Sequence, residues 1–504
     1  MKKRLILVVL DGWGYRKETK YNAIAEANTP FLDRLMAEYP HSLLDASGSA
    51  VGLPEGEMGN SEIGHLSIGA GKVLENDLVR INNAVKNNGL DENKALQTLC
   101  HHIQEHNSTL HIQGLLSPGG IHSHEEHLFG ILRFLKKIGL KKVVLHIFTD
   151  GRDTAPQSAA ESLRTLEKLL DELQIGVIAT ASGRYFAMDR DHNWERVEKA
   201  EKAIFHGEGN RVQGKKPSEH FEDLYKQGVW DEHVEPIVFL EDSGECYTVK
   251  ENDGILFFNF RADRARMLSK KIVDRSKLHN LCFVSLTEYD AALECIVAFP
   301  PLFPDTTLAA ELSQHGLKQV HIAETEKYAH ATYFLNGKKE TPHDGEEFLL
   351  IESRKDVPTH DLAPEMRAKE IVDAAIATMK QDVDFIFLNL ANADMVGHTA
   401  DWDATLIAIE TIDREMKRLV EAAQEHHMVV MITADHGNAE KLFDEDGQSK
   451  HTAHTNNPVP CIFTQKGFTL EPGSLIDVAP TILEWYGIAK PPSMTGENLL
   501  KRDA

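Results

Sequence analysis

No stretch of the chain reaches the roughly 18 consecutive apolar residues that a membrane-spanning helix needs. The first apolar run, Leu5 to Leu10, follows the basic start Lys2-Lys3-Arg4 but stops after six residues at Asp11-Gly12 without a small-residue cleavage site. It therefore reads as a buried first strand and not as a secretion signal. Cysteine is scarce. Five thiols (Cys100, Cys246, Cys282, Cys295, Cys461) are scattered, odd in number and free of any C-x-x-C, which excludes a disulfide framework and fits a reducing, cytoplasmic setting. Positive charge is also in short supply. Lys and Arg number 54 against 78 Asp and Glu, a formal net charge of −24 with no offsetting basic tract. That excludes a nucleic-acid binder, and it means that an anionic substrate must be caught by a local cluster of positive charge. Low-complexity segments and short internal repeats are absent.

What is present is a chain of 504 residues, too long for one hydrophobic core. Apolar runs alternate with helical patterns, and most runs end in a polar cluster. Arg4 to Leu10 leads into Asp11-Gly12-Trp13-Gly14; Thr29-Pro30 then opens a helix, with Thr29 as its N-cap. Leu110 to Leu116 leads into Ser117 to His124, and a helix follows to about Ile138. Val143 to Thr149 leads into Asp150-Gly151-Arg152-Asp153-Thr154, and Pro156 to about Leu173 is helical. Ile175 to Ala181 leads into Gly183 to Arg190, and Gly254 to Phe260 into Arg261-Ala262-Asp263-Arg264. Ala298 to Pro304, with three prolines, reads as a linker. Beyond it, Asp384 to Leu390 leads into Ala391 to His398, a helix covers about Asp403 to Ala423, and Met428 to Thr433 leads into Ala434-Asp435-His436-Gly437-Asn438. Continuous apolar strands alternating with helices predict an α/β protein with largely parallel sheets flanked by helices, whose ligands gather at the carboxyl ends of the strands.

Three of those ends carry Asp and His in combinations that suit hard to borderline divalent cations: Asp11, the pair Asp394 and His398, and the pair Asp435 and His436. Asp394 and His398 are one helical turn apart, and His451 and His454 add imidazoles. The stretch Met58-Gly59-Asn60-Ser61-Glu62-Ile63-Gly64-His65 has glycine-rich sequence on both sides, which allows a sharp bend to present Ser61 as a nucleophile. Arg152, Arg184, Arg190, Arg261 and Arg264 all follow apolar runs, and five planar forks at neighbouring strand ends favour an anion pocket.

Met58 to Glu62, Asp150 to Thr154, Thr325-Glu326-Lys327-Tyr328-Ala329-His330, Asp435 to Glu440 and Thr452-Ala453-His454-Thr455 resemble the cofactor-independent phosphoglycerate mutases of the alkaline phosphatase superfamily, in family order along essentially the whole chain. Asn456 departs from the family's usual Thr. The resemblance implies a phosphatase-like metal and nucleophile domain at 1–76 and 301–504, interrupted by a substrate-binding domain at 77–300, with hinges near Lys72 to Asp77 and Pro300 to Pro304 about which the domains close. It implies two manganese ions, other divalent ions being possible, and no 2,3-bisphosphoglycerate. Asp394, His398 and His454 match the ligands of one ion; Asp11, Ser61, Asp435 and His436 match those of the other. His122, Arg152, Asp153, Arg184, Arg190, Arg261, Arg264 and Lys327 match phosphoglycerate-binding positions, with Ser61, Asp153 and Lys327 catalytic. The expected enzyme is a monomer that interconverts 3- and 2-phosphoglycerate through a phosphoserine, without membrane or nucleic-acid partners. A phosphatase or another phosphomutase of the same superfamily is the alternative, because it would share the metal ligands without needing the arginines.

Overall fold

The computed structural model describes residues 2–444 and 446–503, and the chain forms two compact units, 1–75 with 302–504, and 76–301. Each is built on its own eight-stranded sheet.

In the first unit the sheet order runs Glu346–Ile351, Gln319–Glu324, Phe385–Leu390, Leu5–Leu10, Val429–Thr433, Val459–Phe463, His41–Asp45, Gly473–Ser474. The first five strands are parallel; Val459–Phe463 is antiparallel to both of its neighbours. Every residue of Leu5–Leu10 is buried, as expected of a strand covered on both faces. Each buried Leu, Ile or Val there contributes about 1.5–3 kcal/mol relative to exposure; Val8→Asp would place an unpaired charge in the middle of that core. The register pairs Leu10 with Leu390 and Val9 with Thr433. The segments that follow, carrying Asp11, Asp394 and Asp435, therefore leave the same edge of the sheet side by side.

The second unit's sheet runs Ile296–Phe299, Cys282–Thr287, Gly254–Phe257, Leu110–Leu116, Val143–Thr149, Val177–Gly183, Ile237–Phe239, Asn210–Val212. Only the pairing of Val177–Gly183 with Ile237–Phe239 is antiparallel. Separate apolar clusters fill its two faces: one includes Ile112, Leu145 and Leu163, the other Leu115, Phe148 and Leu268. The expected class, α/β with two largely parallel sheets flanked by helices, is the observed one. All five cysteines are free, and among the described residues no helix is long and apolar enough to cross a membrane.

Several local expectations need correction. Ala298 and Phe299 are not linker; they end the edge strand Ile296–Phe299, which places the prolines just beyond the sheet. The strand expected from Ile175 to Ala181 is Val177–Gly183, so it delivers Arg184 directly. Thr29 sits at the N-cap of the helix Pro30–Glu38 but makes no capping bond. Asp413, from the helix Trp402–Glu425, accepts from the Phe31 and Leu32 amides instead, a tertiary cap that local sequence does not reveal.

Candidate active site

In the first unit, Ser61 is the first residue of the helix Ser61–Ala70, capped by the Asn60 side chain, which accepts from the Ile63 amide. The helix end presses against the Asp435 strand end. A Cβ on Gly64 would lie 2.6 Å from the Asp435 carbonyl oxygen, so only glycine allows that approach. Gly12 has φ +75°, and a Cβ there would meet the Asp394 Cα at 2.6 Å, which brings the Asp11 turn against the helix Asn392–Gly397.

The donor atoms fall into two groups, Asp394 with His398 and His454, and Asp11 with Asp435 and His436; within each group the atoms lie within 4.8 Å of one another. Ser61 Oγ adjoins the second group, 3.3 Å from Asp11 Oδ1 and 2.9 Å from His436 Nε2. Lys327 ties the two groups together. Its Nζ lies 2.7 Å from Ser61 Oγ, 2.7 Å from Asp394 Oδ2 and 2.6 Å from Asp11 Oδ1. All the metal-group residues assigned from sequence, together with Ser61 and Lys327, thus converge in one place.

Three carboxylates and one ammonium leave an excess of two negative charges when all are ionised, and the three carboxylates are almost wholly buried. Burial and the Asp435 charge push Asp11 up to about 7. Burial opposes ionisation of Asp394 and Asp435 too, but Lys327 and His398 on one, and His436 and His65 on the other, hold both well below the carboxylate range. Lys327 is raised despite burial by Asp11 and Asp394. Asp435 Oδ2 has no hydrogen-bond donor; His65 Nδ1, 3.4 Å away, faces the Ser61 carbonyl oxygen at 2.8 Å instead. An orphaned carboxylate oxygen, excess negative charge and a mixed O/N donor set all fit divalent cations. Orientation of the imidazoles is also set. His398 Nδ1 contacts the Thr452 carbonyl oxygen at 2.7 Å and His454 Nδ1 that of Gly59 at 2.8 Å, leaving the two Nε2 atoms 3.0 Å apart beside Asp394.

In the second unit, Arg184 is buried and donates to Asp150 Oδ1 at 2.7 Å and to Asp153 Oδ2. His122 Nε2 lies 3.8 Å from Asp153, and its Nδ1 lies 3.4 Å from Asp263 Oδ1. Asp263 pairs with Arg190 at 3.0 Å and with Arg261 at 3.3 Å. Arg264 donates to the Met188 carbonyl oxygen at 3.2 Å; burial and the neighbouring charges of Arg184, Arg190 and Arg152 lower its pKa. Arg152 reaches Glu232 at 3.1 Å. Burial, then Arg184, brings His122 down to about 4, so near neutrality it is an uncharged imidazole among guanidinium groups. The residues assigned from sequence as the arginine cluster therefore gather at one end of this sheet. His124 and His127 stand outside it: His124 caps the helix Glu125–Lys137, and buried His127 bonds Asn82.

Sequence reasoning missed the groups that hold these residues in place. Asp150 accepts from Ser117 Oγ, from the amides of Arg152 and Asp153, and from Arg184. Both Asp150 and Asp263 lie inside motifs already singled out. Asn389 donates to Asp11 Oδ2 at 2.8 Å and contacts His65 Nε2 at 3.0 Å; the signal was one amide in an otherwise apolar strand. Asn438 donates to Asp394 Oδ1 at 3.1 Å.

The family model of the Metalloenzyme superfamily matches residues 3–490. The 2,3-bisphosphoglycerate-independent phosphoglycerate mutase of Listeria innocua is 47% identical over 512 residues, covering 99% of this chain and 100% of the relative. That of Francisella tularensis subsp. novicida is 45% identical over 510 residues, covering 99% of both. A crystal structure of Leishmania mexicana phosphoglycerate mutase at low cobalt concentration is similar with a TM-score of 0.62 and 28% identity, over 100% of this chain and 98% of that one. With this identity along its full length, the chain belongs to the 2,3-bisphosphoglycerate-independent phosphoglycerate mutases, within the Metalloenzyme superfamily.

Proposed function

We propose that the protein interconverts 3-phosphoglycerate and 2-phosphoglycerate through a phosphoserine on Ser61, without 2,3-bisphosphoglycerate. The observation that carries this reading is the Lys327 ammonium 2.7 Å from Ser61 Oγ, between two Asp/His donor groups whose atoms lie within 4.8 Å of one another in each group.

Asp394, His398 and His454 would hold one divalent cation, and Asp11, Asp435, His436 and Ser61 a second, with manganese as the expected metal. Cations there would neutralise the carboxylates and make the serine oxygen a competent nucleophile near neutral pH. The chain's own groups supply the remainder. His436 and Asp11 fix the Ser61 hydroxyl. Lys327 meets the negative charge that develops as a phosphoryl group arrives on Ser61 Oγ. Arg152, Arg184, Arg190, Arg261 and Arg264 bind the carboxylate and phosphate of phosphoglycerate, together with His122. Asp153, held by Arg184, gives a proton to the glycerate oxygen that loses its phosphoryl group to Ser61, then takes one from the hydroxyl that attacks the phosphoserine, which restores the acid. The arginine cluster distinguishes a mutase from a phosphatase, since it keeps the glycerate bound until the phosphoryl group returns.

Incubation with 3-phosphoglycerate and Mn2+ tests this reading. Formation of 2-phosphoglycerate without stoichiometric phosphate release is expected. Inorganic phosphate alone would make the enzyme a phosphatase of the same superfamily.

A further inference from the structure

Glu440 is wholly buried, and among the described residues no Lys or Arg forms an ion pair with it. Its carboxylate is surrounded by donors. Oε2 accepts from the Gly14 amide at 3.1 Å and the Asn438 amide at 2.9 Å. Oε1 accepts from Asn457 Nδ2 at 2.9 Å and from the Thr455 hydroxyl. The Thr455 oxygen itself receives the Asn457 amide at 3.3 Å, so its own proton is directed at Glu440. Two glycines make room: a Cβ on Gly14 would stand 2.3 Å from the carboxylate carbon, and one on Gly437 2.4 Å from Oε1.

The position of these donors in the chain matters more than their number. Gly14 follows Asp11 by three residues, Asn438 follows His436 by two, and Thr455 follows His454 by one. The fourth ligand-bearing segment is reached through Asn438, whose amide donates to Glu440 while its side chain donates to Asp394 Oδ1 at 3.1 Å. One carboxylate therefore links the turns carrying Asp11, Asp435 with His436, and His454, and reaches Asp394 through one further residue.

We infer that Glu440 is a positioning residue for both cation-ligand groups, setting the spacing of the segments that bring them together. It touches neither Ser61 nor a donor atom of either group, so its effect is exerted through the backbone turns. A carboxylate suits this place because it accepts on both oxygens. An amide would turn an N–H toward donors, and that edge of the clamp would open. The inference rests on assigning the two groups as cation ligands.

The test is Mn2+ titration by calorimetry of the full chain and of Glu440→Gln, alongside far-ultraviolet circular dichroism and thermal melting of both without metal. The expected result is a folded variant that binds Mn2+ about 10- to 100-fold more weakly, as for other residues that orient metal ligands, with kcat recovered by excess Mn2+ and KM for 3-phosphoglycerate little changed. Unchanged Mn2+ affinity in a folded Glu440→Gln, or a loss of kcat that excess Mn2+ does not restore, would overturn the inference. If Glu440→Gln does not fold, Asn457→Ala, which removes one donor from Oε1, carries the same test: weaker Mn2+ binding supports the role and unchanged binding overturns it. A parent protein that binds no Mn2+ would instead refute the ligand assignment itself.

Discussion

The two charged clusters differ in sign and in exposure. In the first unit two of three clustered carboxylates, Asp11 and Asp394, pair with one lysine, and all three are at most 3% exposed. In the second, Arg152, Arg190 and Arg261 are 50–53% exposed; Arg190 and Arg261 share Asp263, and Arg152 pairs with Glu232. Burying like charges costs several kcal/mol per ion unless counter-ions stay, so the acidic cluster suits resident cations. Exposed guanidinium groups carry little such penalty and can exchange a carboxylate partner for a ligand's carboxylate or phosphate. On the proposed reading, the first cluster holds its cations throughout turnover and the second exchanges its carboxylate partners for a transient anion. Arg184 is the exception in the second unit: buried on Asp150 and Asp153, it has the fixed character of the acidic cluster.

Ser61→Ala should separate the two clusters most sharply. Turnover should fall by on the order of 10⁶, as for loss of other nucleophiles, while calorimetry still finds 3-phosphoglycerate binding at near-parental affinity. Turnover within tenfold of the parent would end the contrast. Arg184→Met should come next. It leaves Asp150 and Asp153 without their buried cation, so urea unfolding should show about 3–5 kcal/mol lost; a loss below about 1 kcal/mol would put Arg184 with its exposed neighbours. Lys327→Met should lower kcat by about 10²–10³-fold, the usual effect of removing one group that stabilises developing charge, yet leave Mn2+ affinity undiminished, because the carboxylates lose a competing cation. Weaker Mn2+ binding would make the lysine a structural residue.

The smallest effect concerns acid. Burial brings His127 down to about 3. Below the ordinary histidine value near 6.5 the unfolded chain takes up a proton that folded His127 does not. Stability is therefore complete above about 6.5 and falls by ~1.4 kcal/mol per pH unit from this residue until about pH 3. His127→Gln should reduce the slope of unfolding free energy against pH by that amount between pH 6.5 and 5; an unchanged slope would show that His127 takes up its proton in the folded state.

Legibility in the sequence followed the same physical division. Strand positions such as Leu5–Leu10 and Val143–Thr149 came from apolar runs that are continuous or broken only by a buried polar residue such as His146, because burial on both faces leaves few polar positions to interrupt the pattern. Single ligand types at strand ends were legible for the same reason: Asp11 and Asp435 stand where the apolar run stops. Contacts made across the fold were not. The Asp413 cap and the Glu440 clamp join residues from distant parts of the chain, and nothing local distinguishes their side chains from ordinary polar ones. Asn389, the one amide in an apolar strand, is unusual locally, but nothing local marks it as a partner of Asp11. His65 could have been found, since it lies one helical turn after Ser61, but only if the glycine-flanked stretch had been read as a helix start and not as a bend.

The most direct measurement is mass spectrometry of enzyme quenched in acid during turnover of 3-phosphoglycerate with Mn2+. Phosphate on the peptide containing Ser61, appearing and disappearing as fast as 2-phosphoglycerate forms, is the predicted result. A phosphorylated peptide elsewhere, or 2-phosphoglycerate formed at full rate with Ser61 unmodified throughout, would contradict the account.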